Sequence, residues 1–180
     1  QTRTRDITFG MRSFEVRDGS FYLNGKRRAL LGSNMVTEWL WEDRYYHNTD
    51  GAFNRYLQRA RGMNVGVVRT HTMPPLHHVA DIFDTTGMLV LAEMPFTYNY
   101  QRIGFSHAEA QRYHEVGMQQ SLAYVEELAN HPSIVMWVST NEPPERIGSF
   151  DQARWDLEQM IPAIRALDPS RPVLRSGEES

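Results

Sequence analysis

The sequence contains no cysteine. That excludes a disulfide scaffold, a thiolate metal centre and a cysteine nucleophile, and leaves the compartment open. Long apolar runs are missing too. Ile134 to Val138 is typical of the longest, far short of the ~20 residues that cross a bilayer, so no membrane partner is expected. There is no excess of positive charge: 19 Lys and Arg stand against 22 Asp and Glu, a net of −3. A dedicated nucleic-acid binder would normally be basic, so no nucleic-acid partner is expected either. Neither GxGxxG nor GxxxxGK[ST] occurs, which removes motif support for nucleotide binding. The first residues are polar and Arg-containing, without a signal-peptide pattern. The chain starts at Gln1 rather than Met, as a processed or excerpted chain would. What is present is ordinary for a globular chain of one domain or little more: 180 residues, 41% hydrophobic and 23% charged.

Phe14 to Arg17 alternates and runs into Asp18-Gly19; Phe21 to Leu23 alternates and runs into Asn24-Gly25. Both dipeptides supply the positive φ angles of two-residue hairpin turns, so a small β ribbon is expected here. After Lys26 short apolar runs alternate with helical patterns. Ala29 to Leu31, Val65 to Val68, Met88 to Ala92, Ile134 to Val138 and Val173-Leu174 read as strands. Asp50 to Arg61 reads as a helix with Phe53, Tyr56, Leu57 and Ala60 on one face and Gly62 as its cap. Leu76 to Asp84 is a second. Ser106 with Glu109 has capping-box spacing and opens a third, which His131-Pro132 stops. Asp151 to Leu167 is a fourth, with Leu157, Met160, Ile161, Ile164 and Leu167 on one face; Pro162 should kink it or shift its start.

Short, nearly all-apolar strands alternating with helices mean a parallel sheet covered on both faces. Asn34, Arg69, His71, Glu93, Asn141 and Glu142 follow the strand cores, at the carboxyl ends where barrels and open α/β sheets place their active sites. Asn141-Glu142-Pro143 closes the fourth strand. A carboxyl group at a strand end beside an amide suits general acid catalysis, provided burial or a second carboxylate raises its pKa. The competing reading is a loop glutamate favoured by the dipole of a following helix.

The stretch HPSIVMWVSTNEP (131–143) resembles the acid/base strand of the family 2 glycoside hydrolases, which include β-galactosidases, β-glucuronidases and β-mannosidases. FEVRDGSFYLNGKRRALLGSN (14–34) is similar to the family's approach to its catalytic barrel. VVRTHTMPP (67–75), DIFDTTGMLVLAEMP (81–95) and DPSRPVLRS (168–176) resemble further family segments, in the family's order. The resemblance implies a β ribbon at 1–27, with the exit from a preceding β-sandwich domain, and at 28–180 about the first five strands of a (β/α)8 TIM barrel. It implies a retaining, β-galactosidase-like hydrolase of β-linked sugars in carbohydrate metabolism. Glu142 would be the general acid/base, and Asn141 would bind the hydroxyl next to the anomeric carbon. Arg69 would buttress the catalytic carboxylates, and Glu93 matches an acidic residue ending the third strand. Where the family places a His three residues after the Arg, this sequence has Thr72, with His71 one residue earlier. The family's nucleophile, a Glu on the seventh strand, is expected outside this chain, so the isolated 180 residues should be inactive. The alternative is a non-catalytic carbohydrate-binding or interaction fragment of a degenerate relative.

The expected partners are a carbohydrate substrate and the remaining domains of a larger hydrolase, and homo-oligomerisation is compatible with the chain. Trp39, near Trp41 in the loop after the first strand, is a candidate for stacking on a sugar ring, against a packing role for both. No cofactor and no metal are expected: His77 and His78 diverge on a helix, and His107 and His114 stand seven apart. Trp137 and Met63, Met88, Met118, Met136 and Met160 read as core, and Arg3, Arg5 and Arg12 as a solvated strand edge.

Overall fold

The computed structural model describes residues 9–36, 47–96, 104–142, 146–147 and 150–175. Trp39, Trp41, Arg3, Arg5 and residues 176–180 lie outside them, as does most of the expected exit from a preceding domain.

The ribbon forms where the turn chemistry demands it. Strands β1 (Phe14–Arg17), β2 (Ser20–Leu23) and β3 (Lys26–Arg28) are antiparallel neighbours. Asp18 and Gly19 take φ 48° and 66°, and Asn24 and Gly25 take 51° and 72°. Two successive positive angles are what a hairpin turn matched to strand twist requires.

The main sheet is parallel, with strands β4 (Gly32–Val36), β5 (Val67–His71), β6 (Leu89–Glu93) and β7 (Ile134–Val138) adjacent in chain order. A short antiparallel pair follows, β8 (Arg146–Ile147) with β9 (Phe150–Asp151), and then β10 (Val173–Leu174), which adds to the sheet beside β7. The crossovers carry helices α1 (Ala52–Gly62), α2 (His77–Thr86) and α3 (His107–Leu128). The last crossover is α4 (Gln152–Trp155), a π turn (Asp156–Met160) and α5 (Ile161–Leu167). With the ribbon before it, this is a partial TIM barrel.

Two strands begin later than the apolar runs suggest. The first is Gly32–Val36 rather than Ala29–Leu31, because Leu31 is exposed and its carbonyl accepts the Gly66 N–H at 2.8 Å as a lead-in. Gly32 then lies so close to Val67 that a Cβ would stand 2.6 Å from the Val67 carbonyl oxygen. The second is Val67–His71 rather than Val65–Val68. In both, the strand runs on through polar residues, since a barrel strand is apolar at its base and polar toward its site.

Helix α1 continues through Gly62; Asn64, at φ 63°, supplies the left-handed residue expected of Gly62. Asn tolerates that conformation by bonding locally. Ser106 and Glu109 close a full capping box on α3. Pro162 has no N–H to return to the preceding turn, and just before it the ladder widens: the Ile161 N–H reaches Asp156 O, a π spacing. Leu157 and Leu167 are consequently exposed, while Met160, Ile161 and Ile164 remain buried.

The sheet separates two apolar layers. Val68, Val90, Ala92 and Trp137 face the helices and pack with Phe53, Leu57, Phe83 and Ile164. Met136 and Val135 pack with Phe14 of the ribbon, flanked by Leu89 and Leu91. Met88 and Met160 are core, whereas Met63 is exposed. Arg12 is not a solvated edge residue. Its guanidinium donates to Pro132 O at 3.0 Å and Ile134 O at 2.6 Å, and burial together with nearby Arg171 lowers its pKa to about 10. Among the described residues no helix is long and apolar enough to cross a membrane.

Candidate functional site

Residues alternate across a strand, so Arg69, paired in register with Leu91, faces the sheet surface opposite the helices. Glu93, the last residue of β6, is fully buried. The Arg69 Nε–H donates to Glu93 Oε2 in a close ion pair, and the Arg69 Nη2 donates to Asn141 Oδ1 at 2.7 Å. The second carboxylate oxygen, Glu93 Oε1, accepts the Thr72 N–H at 2.7 Å. Burial pushes the Glu93 carboxyl up; the Arg69 charge, the Thr72 N–H and His71 pull the other way. The result is a fixed chain, Thr72 to Glu93 to Arg69 to Asn141, across three adjacent strands.

That chain decides how Asn141 presents itself. Its Oδ1 is taken by Arg69, so its Nδ2 must point elsewhere. The residue is 2% exposed, and Nδ2 has no hydrogen-bond partner among the described residues. Ser139 Oγ and Thr140 Oγ1 are in the same condition just before it. Buried donors without partners are rare in folded proteins and call for a ligand or a water. The Asn141 backbone is held separately, its N–H donating to Phe96 O at 3.3 Å. Phe96 in turn lies against Gly117 of α3, where a Cβ would collide with its ring, and near His114 and Trp155.

Glu142 follows at φ 42°, outside the usual range for a residue with a side chain, and it is exposed. The burial expected around this carboxyl is therefore not provided by the described residues. Thr72, at φ 68°, is also left-handed, a rare state for a β-branched residue, and its N–H bond to the buried Glu93 is what holds it there. Its part in the site was not legible in sequence. His71 is half-buried and electrostatically coupled to Glu93. Asn34 is exposed on β4, opposite Arg69 in register, and is not part of the Arg69 cluster. Trp39 falls outside the described residues.

A hollow of about 540 Å³ lies at the other end of the sheet, lined in part by Arg12, Phe14, Pro132 and Arg171. It does not compete as a site. Both guanidiniums are engaged within the fold: Arg12 donates to the carbonyls of Pro132 and Ile134, and Arg171 to those of Ala129, His131 and Ile134 and to the Asp168 carboxylate.

Comparison with known proteins agrees with the fold described above. The profile described as "Glycosyl hydrolases family 2, TIM barrel domain" matches residues 14–179. The β-glucuronidase of Chlorocebus aethiops is 30% identical over 171 residues, 93% of this chain and 24% of that protein. The β-glucuronidase of Streptococcus agalactiae serotype V is 28% identical over 179 residues, 92% of this chain and 28% of that one. The structure of a β-glucuronidase from an uncultured Clostridium sp. superposes with a TM-score of 0.70 at 25% identity, covering 93% of this chain and 28% of that chain. The chain thus spans about a quarter of the length of the curated relatives it matches. Matched from its first ribbon strand to its last, it belongs to glycosyl hydrolase family 2 and carries part of that family's TIM barrel domain.

Proposed function

We propose that this chain supplies the acid/base half of a retaining β-glycosidase site, with Glu142 as general acid and then general base. The observation that carries the reading is the Asn141 amide. Arg69 fixes it so that a buried N–H₂ is left to donate, immediately before Glu142. Such a donor suits the sugar hydroxyl beside the anomeric carbon, while Glu142 reaches the glycosidic oxygen. Arg69 and Glu93 position Asn141. His71 lines the sugar subsite and Asn34 its margin. The nucleophile is a carboxylate outside this chain, about 5–5.5 Å from Glu142, as a retaining mechanism requires.

The resemblance in sequence suggested a β-galactosidase-like activity. The relatives compared above are β-glucuronidases, so a β-glucuronide is the substrate proposed here, ahead of a β-galactoside. The reading of 1–27 as ribbon with its lead-in and 28–180 as barrel moves on by one residue, since Arg28 still pairs with Phe21 in β3; we assign both parts to a larger hydrolase whose other domains are its partners.

The test is Glu142→Ala in the full-length protein. An activated aryl glucuronide needs little protonation to leave, so glycosylation should survive while deglycosylation slows. Added azide should then restore turnover and give the glycosyl azide of retained configuration. If the variant matches the parent on activated and unactivated substrates alike, Glu142 is a loop residue and not the acid/base. Faster turnover of the galactoside than of the glucuronide by the parent would reverse the choice of sugar and leave the role of Glu142 standing.

A further inference from the structure

Helix α2 carries His77 and Asp81 one turn apart, so both leave on the same face. His131 reaches that face from the loop leading into β7. One ligand atom from each of the three lies within 4.8 Å of the other two. His77 Nδ1 is 3.8 Å from Asp81 Oδ2, and His131 Nδ1 is 3.9 Å from Asp81 Oδ1. Both separations are too long for hydrogen bonds. Both are near the ligand-to-ligand edge of a tetrahedral centre, about 3.3 Å for bonds of ~2.0–2.1 Å. The two imidazoles stand edge to face with centroids 4.6 Å apart. A carboxylate therefore reaches toward two ring nitrogens and bonds to neither, a spacing that a bridging ion closes by small rotations of exposed side chains.

The third ligand is rigid. His131 is buried, and Asp84 Oδ2 lies 2.7 Å from its Nδ1, while Asp84 Oδ1 accepts the Ser133 N–H at 2.9 Å. His77 and Asp81 are both more than half exposed, which leaves a path for an ion from solvent.

We propose that His77, Asp81 and His131 bind one divalent cation of the zinc class. Two imidazoles with one carboxylate favour a borderline metal such as Zn²⁺ over Ca²⁺ or Mg²⁺, which prefer all-oxygen sets. The cation takes the Nδ1 lone pair of His131 in the tautomer whose ring proton sits on Nε2, and the hydrogen bond to Asp84 is given up. Asp84, still anchored by Ser133, then stands beside the ion as the fourth donor. The site lies at the start of β7, at the opposite end of that strand from Glu142. Its effect is mechanical: it ties α2 to the segment that feeds the strand carrying Asn141.

The experiment is calorimetric titration of ZnCl₂ into tag-free, chelator-stripped full-length protein, with melting temperature read alongside. Expected are a saturable equivalent of Zn²⁺ and a rise in melting temperature. His77→Ala and Asp81→Asn should each weaken that equivalent by at least about 10-fold and abolish the rise. His78→Ala, on a different face, should keep both. Both tested side chains are exposed, so the variants should fold. Three results overturn the proposal: no saturable Zn²⁺ binding, an equivalent unchanged in both variants, or displacement by Ca²⁺. In each case His131 and Asp84 are a proton-held clamp and nothing more.

Discussion

The two ends of β7 obey different rules. At its start, polar groups are buried and nearly all satisfied. Asp168 accepts from Trp137 Nε1 at 2.8 Å, from Ser170 N at 3.0 Å and from Arg171 Nη1 at 2.6 Å. Arg171 also donates to three main-chain carbonyls, leaving Ser133 Oγ as the unpaired atom of this region. At the other end, Ser139, Thr140 and Asn141 each bury a polar atom without a partner among the described residues, and Thr72 and Glu142 hold left-handed backbone. A fold that satisfies its base and leaves its top unsatisfied has spent stability where a ligand is to be met. Mutations at the base should therefore cost folding, and mutations at the top should cost activity.

The largest effect should come from Asp168→Ala. It strands a buried guanidinium and an indole N–H, and removing one partner of a buried pair costs about 3–5 kcal/mol. Chemical denaturation of the full-length protein should show this with a displaced midpoint; a loss under about 1 kcal/mol would break the comparison. Asn141→Ala should do the reverse. Under the proposed role of Asn141 as a donor to the reacting sugar, its loss should lower kcat/KM by about 100-fold, or ~2.7 kcal/mol, with the melting temperature nearly unchanged because Arg69 keeps Glu93. Equal losses of activity and stability would make Asn141 a structural residue.

Gly117→Ala asks whether the two ends are linked through the outer helix. The new methyl meets the Phe96 ring, and Phe96 O holds the Asn141 N–H. Overpacking should cost about 1–3 kcal/mol, and under the proposed role of Asn141 kcat should fall further than KM rises. Unchanged kcat would disconnect Phe96 from the site. The smallest effect concerns acid. Burial alone would raise the Asp168 carboxyl, but the bonds from Ser170, Trp137 and Arg171 outweigh it and hold the group below its usual 3.8. The folded pKa is depressed, so this stability is present above 3.8 and is lost as pH falls through the lower folded value. Asp156 has the opposite sign: burial pushes it up to about 6, so stability falls as pH rises from 3.8 toward 6. Asp168→Asn should flatten the acid limb of a stability-against-pH curve and leave the Asp156 limb in place. An acid limb identical to the parent's would assign it to other carboxylates.

Much of the fold was legible because local chemistry and global fold agree. Asp-Gly and Asn-Gly permit few conformations, and five buried apolar residues from Ile134 leave β7 no alternative. Strands β4 and β5 were displaced because their site-facing halves are polar, and an apolar run marks only a strand's base. At the site, Arg69, Glu93 and Asn141 were legible as strand-end polar residues, and their mutual bonds required three dimensions. Thr72 was legible only as the residue standing where the family places a His; its bond to Glu93 was not, because its conformation runs against its own preference and is imposed by Glu93. The His77, Asp81 and His131 cluster was invisible because its third member arrives from two elements further along the chain.

The order of the parallel strands has a kinetic consequence. Strands β4 to β7 lie side by side in the order in which the chain is made, so each can dock on the one before it as soon as its helix has formed. Contacts of this kind close short loops and form early. The ribbon is the exception. Phe14 packs on Val135 and Met136, and Arg12 bonds to Ile134, across more than a hundred intervening residues. Within this stretch of chain the ribbon is made before β4 and cannot dock until β7 emerges. Until β7 emerges, Leu89 and Leu91 lack this cover, and that interval is when the nascent domain most exposes apolar surface to other chains.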